Sequence, residues 1–433
     1  MSSAAHWRSV LAEVDQAGLC ANPIRLRGVV LDRSTGELAE RDLLVPCKDR
    51  RAAVCPACAR IYQADAWHLV AAGLRGGKGV DPAVLGHPQL FVTLTAPSFG
   101  PVHARVLRDG RVRPCRPRRK DRRCPHGISF SCLERHSENA LVLGDPLCAQ
   151  CFDYRGAVVW NALVPRLWAR TSQRLYREVA RAGGLSSAQL RARARLSYLK
   201  VIEFQRRGLV HLHVVLRADG AAGPAAEPPS WLGAATLSTV LRDAVAGASV
   251  AVPQTSGVNL ERAHWGEQTD VRVLEASEPD DAVAIAAYVA KYATKTADGT
   301  AWLAHPIRSA AQIERLELRP HVVELVRTAW RLGARKELAY LGLRAHAHTL
   351  GHGGQFSSKS ARFSTTFKAL REARVAFARG EGDEDFDYDG EWRFSGRGYL
   401  DPLAGELAEH LAEASQSRRR RVPGVVPVSA RVQ

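Results

Sequence analysis

Residues 201–215 read VIEFQRRGLVHLHVV, and this stretch decides the fold that the sequence predicts. Residues 200–205 and 211–216 both have the apolar, β-favouring composition of short strands. Residues 206–208, between them, are Arg-Arg-Gly, and the glycine suits a tight turn. The stretch therefore predicts an antiparallel β-hairpin.

The second strand of this hairpin carries a pair of histidines. Side chains two residues apart on a strand point to the same face, so His211 and His213 can reach one cation. Glu203 lies on the preceding strand, where cross-strand neighbours are within about 5.5 Å. Two imidazoles and a carboxylate leave coordination positions open, which suits a catalytic Mg²⁺ or Mn²⁺ that also holds a phosphate oxygen. The alternative is a histidine pair packed on a polar face of a sheet.

A second candidate site lies in residues 286–295, AAYVAKYATK, which predict a helix. Tyr288 and Tyr292 are four residues apart and project from one face, which Lys291 and Lys295 largely share. A tyrosine, with a pKa near 10, is a weak nucleophile until a cation or base stabilises its oxyanion. The tyrosines are therefore candidate nucleophiles and Lys291 a candidate partner. The alternative is that both are ordinary core aromatics.

The composition points to a folded protein that meets polyanions. The 433 residues are 46% apolar and 24% charged, with a formal charge of +17. A strongly basic surface attracts nucleic acid and speeds its encounter. The sequence has no apolar run of 18 residues and no secretory signal at its start, so we expect a cytoplasmic protein without a membrane partner.

All nine cysteines lie between Cys20 and Cys151, and in a cytosolic protein they favour metal binding over disulfides. Two C-x₂-C pairs indicate at least one structural Zn²⁺. The first candidate site comprises Cys20, Cys47, Cys55 and Cys58. The second comprises Cys132, His136, Cys148 and Cys151. Other residues compete for the second site, and a single zinc shared by the two C-x₂-C pairs is also open. The competitors are Cys115, Cys124 and His126.

Arginines near these motifs are candidate DNA contacts. Arg206 and Arg207 lie in the predicted turn, next to the expected metal site, where they can hold a DNA strand. A second group lies in the cysteine-rich insertion and can contact phosphates, with a solvated loop as the alternative. This group contains Arg118, Arg119, Arg122 and Arg123.

Residues 73–79, GLRGGKG, superficially resemble a phosphate-binding loop. They lack the G-x₄-G-K-[ST] pattern because Gly79 follows the lysine. No ATPase or helicase function is supported, so any unwinding motor must be another protein.

The motifs together closely resemble those of the HUH endonucleases, and within them the rolling-circle replication initiators. The strand at residues 91–95, FVTLT, is similar to the first motif of that superfamily, and Glu203 with residues 211–213 to the second. Residues 288–292, YVAKY, are similar to the paired-tyrosine third motif. Most of the chain resembles the RepSA-type initiators of actinobacterial plasmids. This wider likeness includes CPAC (55–58), CPHG (124–127) and SSKSARFSTT (357–366).

The resemblance implies an α+β fold with a five-stranded antiparallel HUH-type sheet, the His pair on a central strand and flanking helices. It implies strand-specific nicking and joining at a plasmid double-strand origin through a 5′-phosphotyrosine, with a host helicase and polymerase as partners. In single-tyrosine relatives the nucleophile stands three residues before the lysine. Tyr288 is therefore expected to attack first, and Tyr292 is a second nucleophile or a structural aromatic.

We expect three regions along the chain. Residues 1–88 form an N-terminal cysteine-rich region, and residues 89–300 a nicking domain with an insertion at about 105–155. Residues 301–433 are mainly helical and end in a disordered basic tail.

Two other functions fit the same motifs: a paired-tyrosine HUH transposase, and a non-catalytic zinc-containing DNA-binding regulator.

Overall fold

The hairpin is present in the computed structural model as two long antiparallel strands, Ala194–Phe204 and Val210–Gly220. They pair over eleven positions, and Glu203 stands directly opposite His211. Strand pairing with this register confirms the hairpin that the sequence predicts. The structure describes residues 3–31, 38–52, 54–120, 122–254, 257–275, 279–294, 305–379 and 392–420.

The described chain is a mixture of helices and mainly short strands. The strands are β1 Ile24–Leu31, β2 Leu38–Val45, β3 Gln89–Leu94, β4 Val106–Arg108, β5 Arg111–Arg113, β6 Ala194–Phe204, β7 Val210–Gly220, β8 Ser249–Ala251, β9 Arg262–His264, β10 Thr269–Leu274, β11 Ser357–Lys359 and β12 Arg393–Arg397. The α-helices are α1 Ser3–Gln16, α2 Pro56–Arg75, α3 Tyr154–Ala182, α4 Ser187–Arg191, α5 Ala234–Ala246, α6 Pro279–Thr294, α7 Ala310–Glu314, α8 Pro320–Leu332, α9 Phe367–Arg379 and α10 Pro402–Arg420. Short 3₁₀ helices are Pro82–Gly86, Ala149–Cys151, Lys336–Leu341 and Ala347–Thr349.

A five-stranded antiparallel sheet organises the centre of the fold, in the order β10-β3-β7-β6-β11. The expectation of an α+β fold with a five-stranded antiparallel sheet is therefore confirmed, and β7, which carries the histidine pair, is the central strand. Alternate side chains of β7 point to opposite faces. One set enters the hydrophobic core together with residues of α3 and α5, and it comprises Val210, Leu212, Val214, Leu216 and Ala218.

Helix α3 fixes the hairpin turn to this core. Asp153 caps the helix by accepting a hydrogen bond from the backbone N–H of Gly156. Asn161, fully buried in the helix, donates from its amide to the carbonyls of Gly208 (2.9 Å) and Leu350 (3.1 Å), and its oxygen accepts from the N–H of Val210 (3.0 Å). A buried amide that is satisfied in this way specifies one position of the turn relative to the helix.

The chain divides into two compact units built from discontinuous segments. The first unit comprises residues 1–73, 282–295 and 364–433, and the second comprises residues 74–281 and 296–363. Within the first unit, β12 from the C-terminal region pairs with β1, and the sheet order is β12-β1-β2. The boundaries expected near 88 and 300 do not coincide with these units, because pairing between the two ends of a chain leaves no local signal in the sequence.

The tail expected from residue 418 onward is helical as far as Arg420, where α10 ends. The rest of that tail lies outside the described residues. None of the described helices has the length and apolar character needed to cross a bilayer.

A buried ionic network closes the far end of β7. Arg217 donates to both carboxylate oxygens of Asp219 (2.6 and 3.0 Å), and both residues are completely buried. Ser197 donates to the same carboxylate at 2.8 Å, and a ring nitrogen of His87 lies 2.9 Å from it. Burial alone raises the pKa of Asp219, but the hydrogen bonds and charge of Arg217 outweigh it and hold that pKa below its usual value.

We predict that Asp219→Ala lowers the free energy of unfolding by about 3–5 kcal/mol, because it leaves the Arg217 guanidinium buried and uncompensated. Urea denaturation followed by tryptophan fluorescence measures this loss. The control is Glu314→Ala, which removes an exposed partner of Arg327 in the same unit and costs less than about 1 kcal/mol. Equal losses for the two variants would contradict the role of the buried network.

Candidate functional site

The face of the sheet that points away from the α3 core brings the predicted metal ligands together. In the register of β6 and β7, Glu203 is opposite His211 and Val201 is opposite His213. On the other side of β7, Thr93 of β3 is opposite His213. Because directly opposite residues share a face, His211, His213, Glu203 and Thr93 form one polar group.

Short contacts orient His213 at the centre of this group. Its Nε2 lies 3.7 Å from Oε2 of Glu203, and its Nδ1 lies 3.3 Å from the hydroxyl of Thr93. Its ring stacks on Phe91 at a centroid distance of 5.9 Å, and it meets the ring of His211 edge-on at 4.6 Å. With 1% of its surface exposed, His213 is held in one orientation by these four neighbours.

The electrostatic environment keeps His211 uncharged. Burial, together with the charges of His213 and Arg207, lowers the pKa of His211 to about 3. A neutral imidazole at physiological pH has a lone pair to give to a metal ion. A neutral histidine beside a histidine and a carboxylate is a donor set of the type that binds Mg²⁺ or Mn²⁺.

The hairpin turn next to this face is tied down by Arg207. Its guanidinium donates to the carbonyls of Ala96 (3.0 Å) and Pro97 (3.2 Å) and to the side chain of Gln205 (2.8 Å). Burial lowers the pKa of Arg207 to about 10. These contacts give Arg207 a structural role in the turn, and the DNA contact expected of it stays a prediction.

Helix α6 carries the predicted tyrosines, and its residues from 282 onward belong to the first unit. Tyr288 is half-buried and Lys291 is exposed, beside a buried stripe at helical spacing. This stripe comprises Ala282, Ile285, Ala286, Val289 and Ala290. Tyr292 lies in the helix, but its side chain, like the whole of Lys295, falls outside the described residues. The nucleophilic roles of Tyr288 and Tyr292 stay predictions.

Three sets of four cysteine and histidine side chains have donor atoms that all lie within 4.8 Å of one another in the described chain. The trio of His211, His213 and Glu203 is not one of them. The first donor set is Cys20, Cys47, Cys55 and Cys58; the second is His103, Cys115, Cys132 and His136; the third is Cys124, His126, Cys148 and Cys151. Together the three sets use all nine cysteines.

The first donor set contains the four cysteines that the sequence groups together. Two of them, Cys55 and Cys58, lie at the start of α2. The sulfur atoms of Cys20 and Cys55 are 3.7 Å apart, as are those of Cys47 and Cys58. A zinc ion about 2.3 Å from each of four sulfurs requires sulfur–sulfur distances of about 3.8 Å in a tetrahedron. The first donor set therefore fits a structural zinc without rearrangement.

The four residues expected to form the second zinc site do not appear together in one donor set of the described residues. Cys132 and His136 join His103 and Cys115, whereas Cys148 and Cys151 join the third donor set. The cause is a backbone pairing of Arg116 with Cys132, which places Cys115 beside Cys132. The sequence signal for the third set is the C-x-H spacing within residues 124–127, and His103 has no comparable signal.

The fold and the sites together define an α+β protein with a histidine pair on its central strand and three donor sets that could hold structural metal. The family model described as RepSA, replication initiator protein, pSAM2, matches residues 6–413. A replication initiator protein of Streptomyces ambofaciens is 36% identical over 449 residues, covering 96% of this chain and 93% of that protein. The chain belongs to the RepSA family of replication initiators. No solved structure matches it.

We predict that His321 makes the protein less stable at mildly acidic pH. His321 is buried, its Nε2–H donates to the carbonyl of Arg207 (3.1 Å), and its Nδ1 accepts from the hydroxyl of Tyr154 (3.1 Å). Burial lowers the pKa of His321 to about 4. Between about pH 4 and 6.5 the unfolded chain binds this proton and the folded chain does not. The free energy of unfolding therefore decreases as the pH is lowered, by about 2 kcal/mol at pH 5 relative to pH 7.

Urea denaturation at pH 5 and pH 7 measures this effect. His321→Gln removes the titrating group, so the difference in unfolding free energy between the two pH values shrinks by about 2 kcal/mol relative to wild type. The exposed His305 supplies the matched control, and His305→Gln keeps the wild-type pH dependence. An unchanged pH dependence in His321→Gln would show that another group is responsible.

Proposed function

We propose that this replication initiator nicks and rejoins DNA at a plasmid origin by rolling-circle chemistry, as a member of the HUH endonucleases. The observation that carries the proposal is the placement of His211 and His213 on the central strand, with Glu203 directly opposite. The family match favours an initiator over a transposase or a DNA-binding regulator.

The metal ligands in this proposal are His211, His213 and Glu203. Their chemistry fits Mg²⁺ or Mn²⁺, since the imidazole of His211 is neutral and Glu203 lies within 3.7 Å of His213. Their donor atoms do not yet converge as closely as those of the cysteine-rich sets, so binding requires small side-chain rotations. His211, His213 and Glu203 would hold the ion, which when bound would polarise the scissile phosphate and stabilise its developing charge.

The nucleophile in this proposal is Tyr288. Its phenolic oxygen forms a bond to the scissile phosphorus, and the bond from that phosphorus to the 3′ oxygen breaks. The phenol gives up its proton to solvent, the 3′ oxygen takes up a proton from solvent and leaves as a hydroxyl group, and the 5′ phosphate stays attached to the tyrosine. Because the link conserves the energy of the phosphodiester, the reverse attack rejoins the strand without ATP. Lys291 stabilises the phenolate, and Tyr292 serves a second transfer.

The remaining partners follow from what the chain lacks and carries. Residues 73–79 do not form a nucleotide-binding motif, so a host helicase unwinds the duplex and a host polymerase extends the 3′ end. The first donor set, at Cys20, Cys47, Cys55 and Cys58, would hold a structural Zn²⁺. The protein acts in the cytoplasm, where the plasmid is.

We predict that the wild-type protein forms a covalent adduct with a single-stranded origin oligonucleotide in the presence of Mn²⁺. Tyr288→Phe abolishes the adduct because phenylalanine has no oxygen to attack phosphorus. Denaturing gel electrophoresis with a labelled oligonucleotide detects the product. Tyr292→Phe is the matched control, and it retains the first nick.

Two outcomes of this experiment would overturn the assignment. An adduct formed by Tyr288→Phe at the wild-type level would show that another residue is the nucleophile. An intact oligonucleotide with every divalent metal would remove the enzymatic proposal and favour the regulator.

We predict that Thr93→Val weakens Mn²⁺ binding about tenfold or more, since the Thr93 hydroxyl orients the ring of His213. Isothermal titration calorimetry on the full chain measures the affinity. Thr95→Val is the matched control: it removes a hydroxyl that donates to the carbonyl of Gln268 and leaves the affinity unchanged. Equal affinities in all three proteins would separate Thr93 from the metal site.

A further inference from the structure

The ligands of the second and third donor sets alternate in pairs along the chain. The second set takes the first and third pairs, and the third set takes the second and fourth. In chain order the pairs are His103 with Cys115, Cys124 with His126, Cys132 with His136, and Cys148 with Cys151. Interleaving of this kind is a cross-brace, in which neither site can form without fixing the chain that runs through the other. We call residues 103–151 the cross-braced insertion.

The spacing of the second donor set fits a zinc ion held by two nitrogens and two sulfurs. The Nδ1 of His103 is 3.2 Å from the Nε2 of His136, and the sulfur of Cys132 is 3.5 Å from that Nε2. Tetrahedral zinc with Zn–N of about 2.0–2.1 Å and Zn–S of about 2.3 Å requires about 3.3 and 3.6 Å for these separations. The ring nitrogens of His103 and His136 approach each other although the donor set contains no carboxylate to hold them together. This arrangement is expected of two ligands that share one cation.

The third donor set has one histidine at the centre of three cysteines. The Nδ1 of His126 lies 3.9, 3.7 and 3.3 Å from the sulfurs of Cys124, Cys148 and Cys151. The tetrahedral requirement for a nitrogen and a sulfur is about 3.6 Å, midway through this range. Cys148 precedes a short 3₁₀ helix and Cys151 is its last residue, just before α3, so the third site ties the insertion to the core helix.

Between the two sites lies a strongly basic loop. Eight of the thirteen residues from 111 to 123 are Arg or Lys, and one is acidic. Cys115 of the second set and Cys124 of the third set enclose its second half. Backbone pairing of Arg116 with Cys132 and of Arg123 with Ser129 closes the loop on itself. The side chains of Arg118, Arg119 and Arg122 are exposed.

Such a loop fits a polyanion better than a protein partner. Because the loop is held at both ends, its backbone loses little conformational entropy when its arginines bind phosphates. Several guanidiniums close together can each contact a phosphate of a nucleic-acid backbone. Among the described residues 111–120, 122 and 123, no large apolar side chain is exposed in the way that an anchor of a protein interface is, and most of the exposed residues are Arg or Lys.

The cross-braced insertion also contacts the hairpin turn beside the histidine pair. Arg206 donates to the carbonyl of Ala140 at 3.1 Å, and Arg319 donates to the carbonyls of Leu143 (3.0 Å) and Arg206 (2.6 Å). Gly144, at φ +86°, lies so close to Arg206 that a Cβ would meet its backbone at 2.4 Å. The insertion is therefore anchored at the turn that directly precedes the strand carrying His211 and His213.

We propose that residues 103–151 are a two-zinc cross-brace that binds the backbone of duplex DNA through Arg118, Arg119 and Arg122. The chain then holds three zinc ions, one in each donor set. This inference extends the proposed function, because it concerns how the initiator grips DNA, but it does not depend on the nicking chemistry.

The metal content of the purified full chain tests the cross-brace. Inductively coupled plasma mass spectrometry is expected to find three zinc ions in the wild type and two each in Cys115→Ala and Cys124→Ala. Ser137→Ala, an exposed residue of the same insertion, keeps three. Because a ligand variant can misfold, the cobalt-substituted wild type is the second measurement, with the intense visible bands of three tetrahedral thiolate sites. Fewer than three metal ions in the wild type would overturn the proposal.

The salt dependence of DNA binding tests the basic loop. Fluorescence anisotropy with a short duplex of arbitrary sequence gives the slope of log affinity against log salt. The triple variant R118Q/R119Q/R122Q is expected to make this slope shallower by about 2 to 3, because each lost phosphate contact contributes about 0.9. The control R193Q/R315Q/R331Q removes three exposed arginines of the same unit and keeps a slope near that of the wild type.

The outcomes separate the loop from its alternatives. Equal slopes for the loop variant and the wild type would overturn the DNA contact and favour an acidic protein partner. Equal changes in both triple variants would overturn it in favour of net charge alone. Neither measurement requires a nick, so Tyr288→Phe retains the zinc content and the DNA affinity even where the proposed catalysis fails.

Discussion

The register between β6 and β7 is the constraint on which the rest of this structure depends. Alternate residues of β7 fill the α3 core, and the others include His211, His213, Arg217 and Asp219. A shift of β7 by one residue relative to β6 would turn every side chain of β7 to the opposite face. Two imidazoles and an ion pair would then lie in the hydrophobic core. Because burying an unpaired charge costs far more than a lost methyl contact, the register is fixed at both ends of the strand.

The sequence predicts this part of the fold well because its signals are local. Strand-like runs on either side of an Arg-Arg-Gly turn are enough for the hairpin, and the i, i+2 spacing is enough to place both histidines on one face. The edge strand Ser357–Lys359 is different. Its three polar residues have no strand pattern, and they form a strand only because they pair with β6. The pairing of β1 with β12 is likewise set by contacts between distant segments, which no window of sequence contains.

The cysteines show the same division between local and long-range information. C-x₂-C spacing identifies Cys55 with Cys58 and Cys148 with Cys151 as pairs, because two cysteines separated by three positions can place both sulfurs on the same side of a turn. It does not identify the partners. Proximity along the chain favours joining Cys132 and His136 to the next pair, but the bridge between Arg116 and Cys132 places them beside Cys115 instead. The sequence does not predict His103 as a ligand, because an isolated histidine belongs to no recognisable ligand spacing.

Four separate elements hold the turn at residues 206–208, and this explains why so much structure surrounds a short loop. Asn161 binds it from α3, Arg319 and His321 from the start of α8, and the insertion through the carbonyl of Ala140. Arg207 binds it to the end of β3. Metal ligands must be placed within about 0.5 Å to act on a phosphate, and a free two-strand hairpin does not have that precision. The histidine pair lies three residues beyond this turn, so the contacts that fix the turn also fix the ligands.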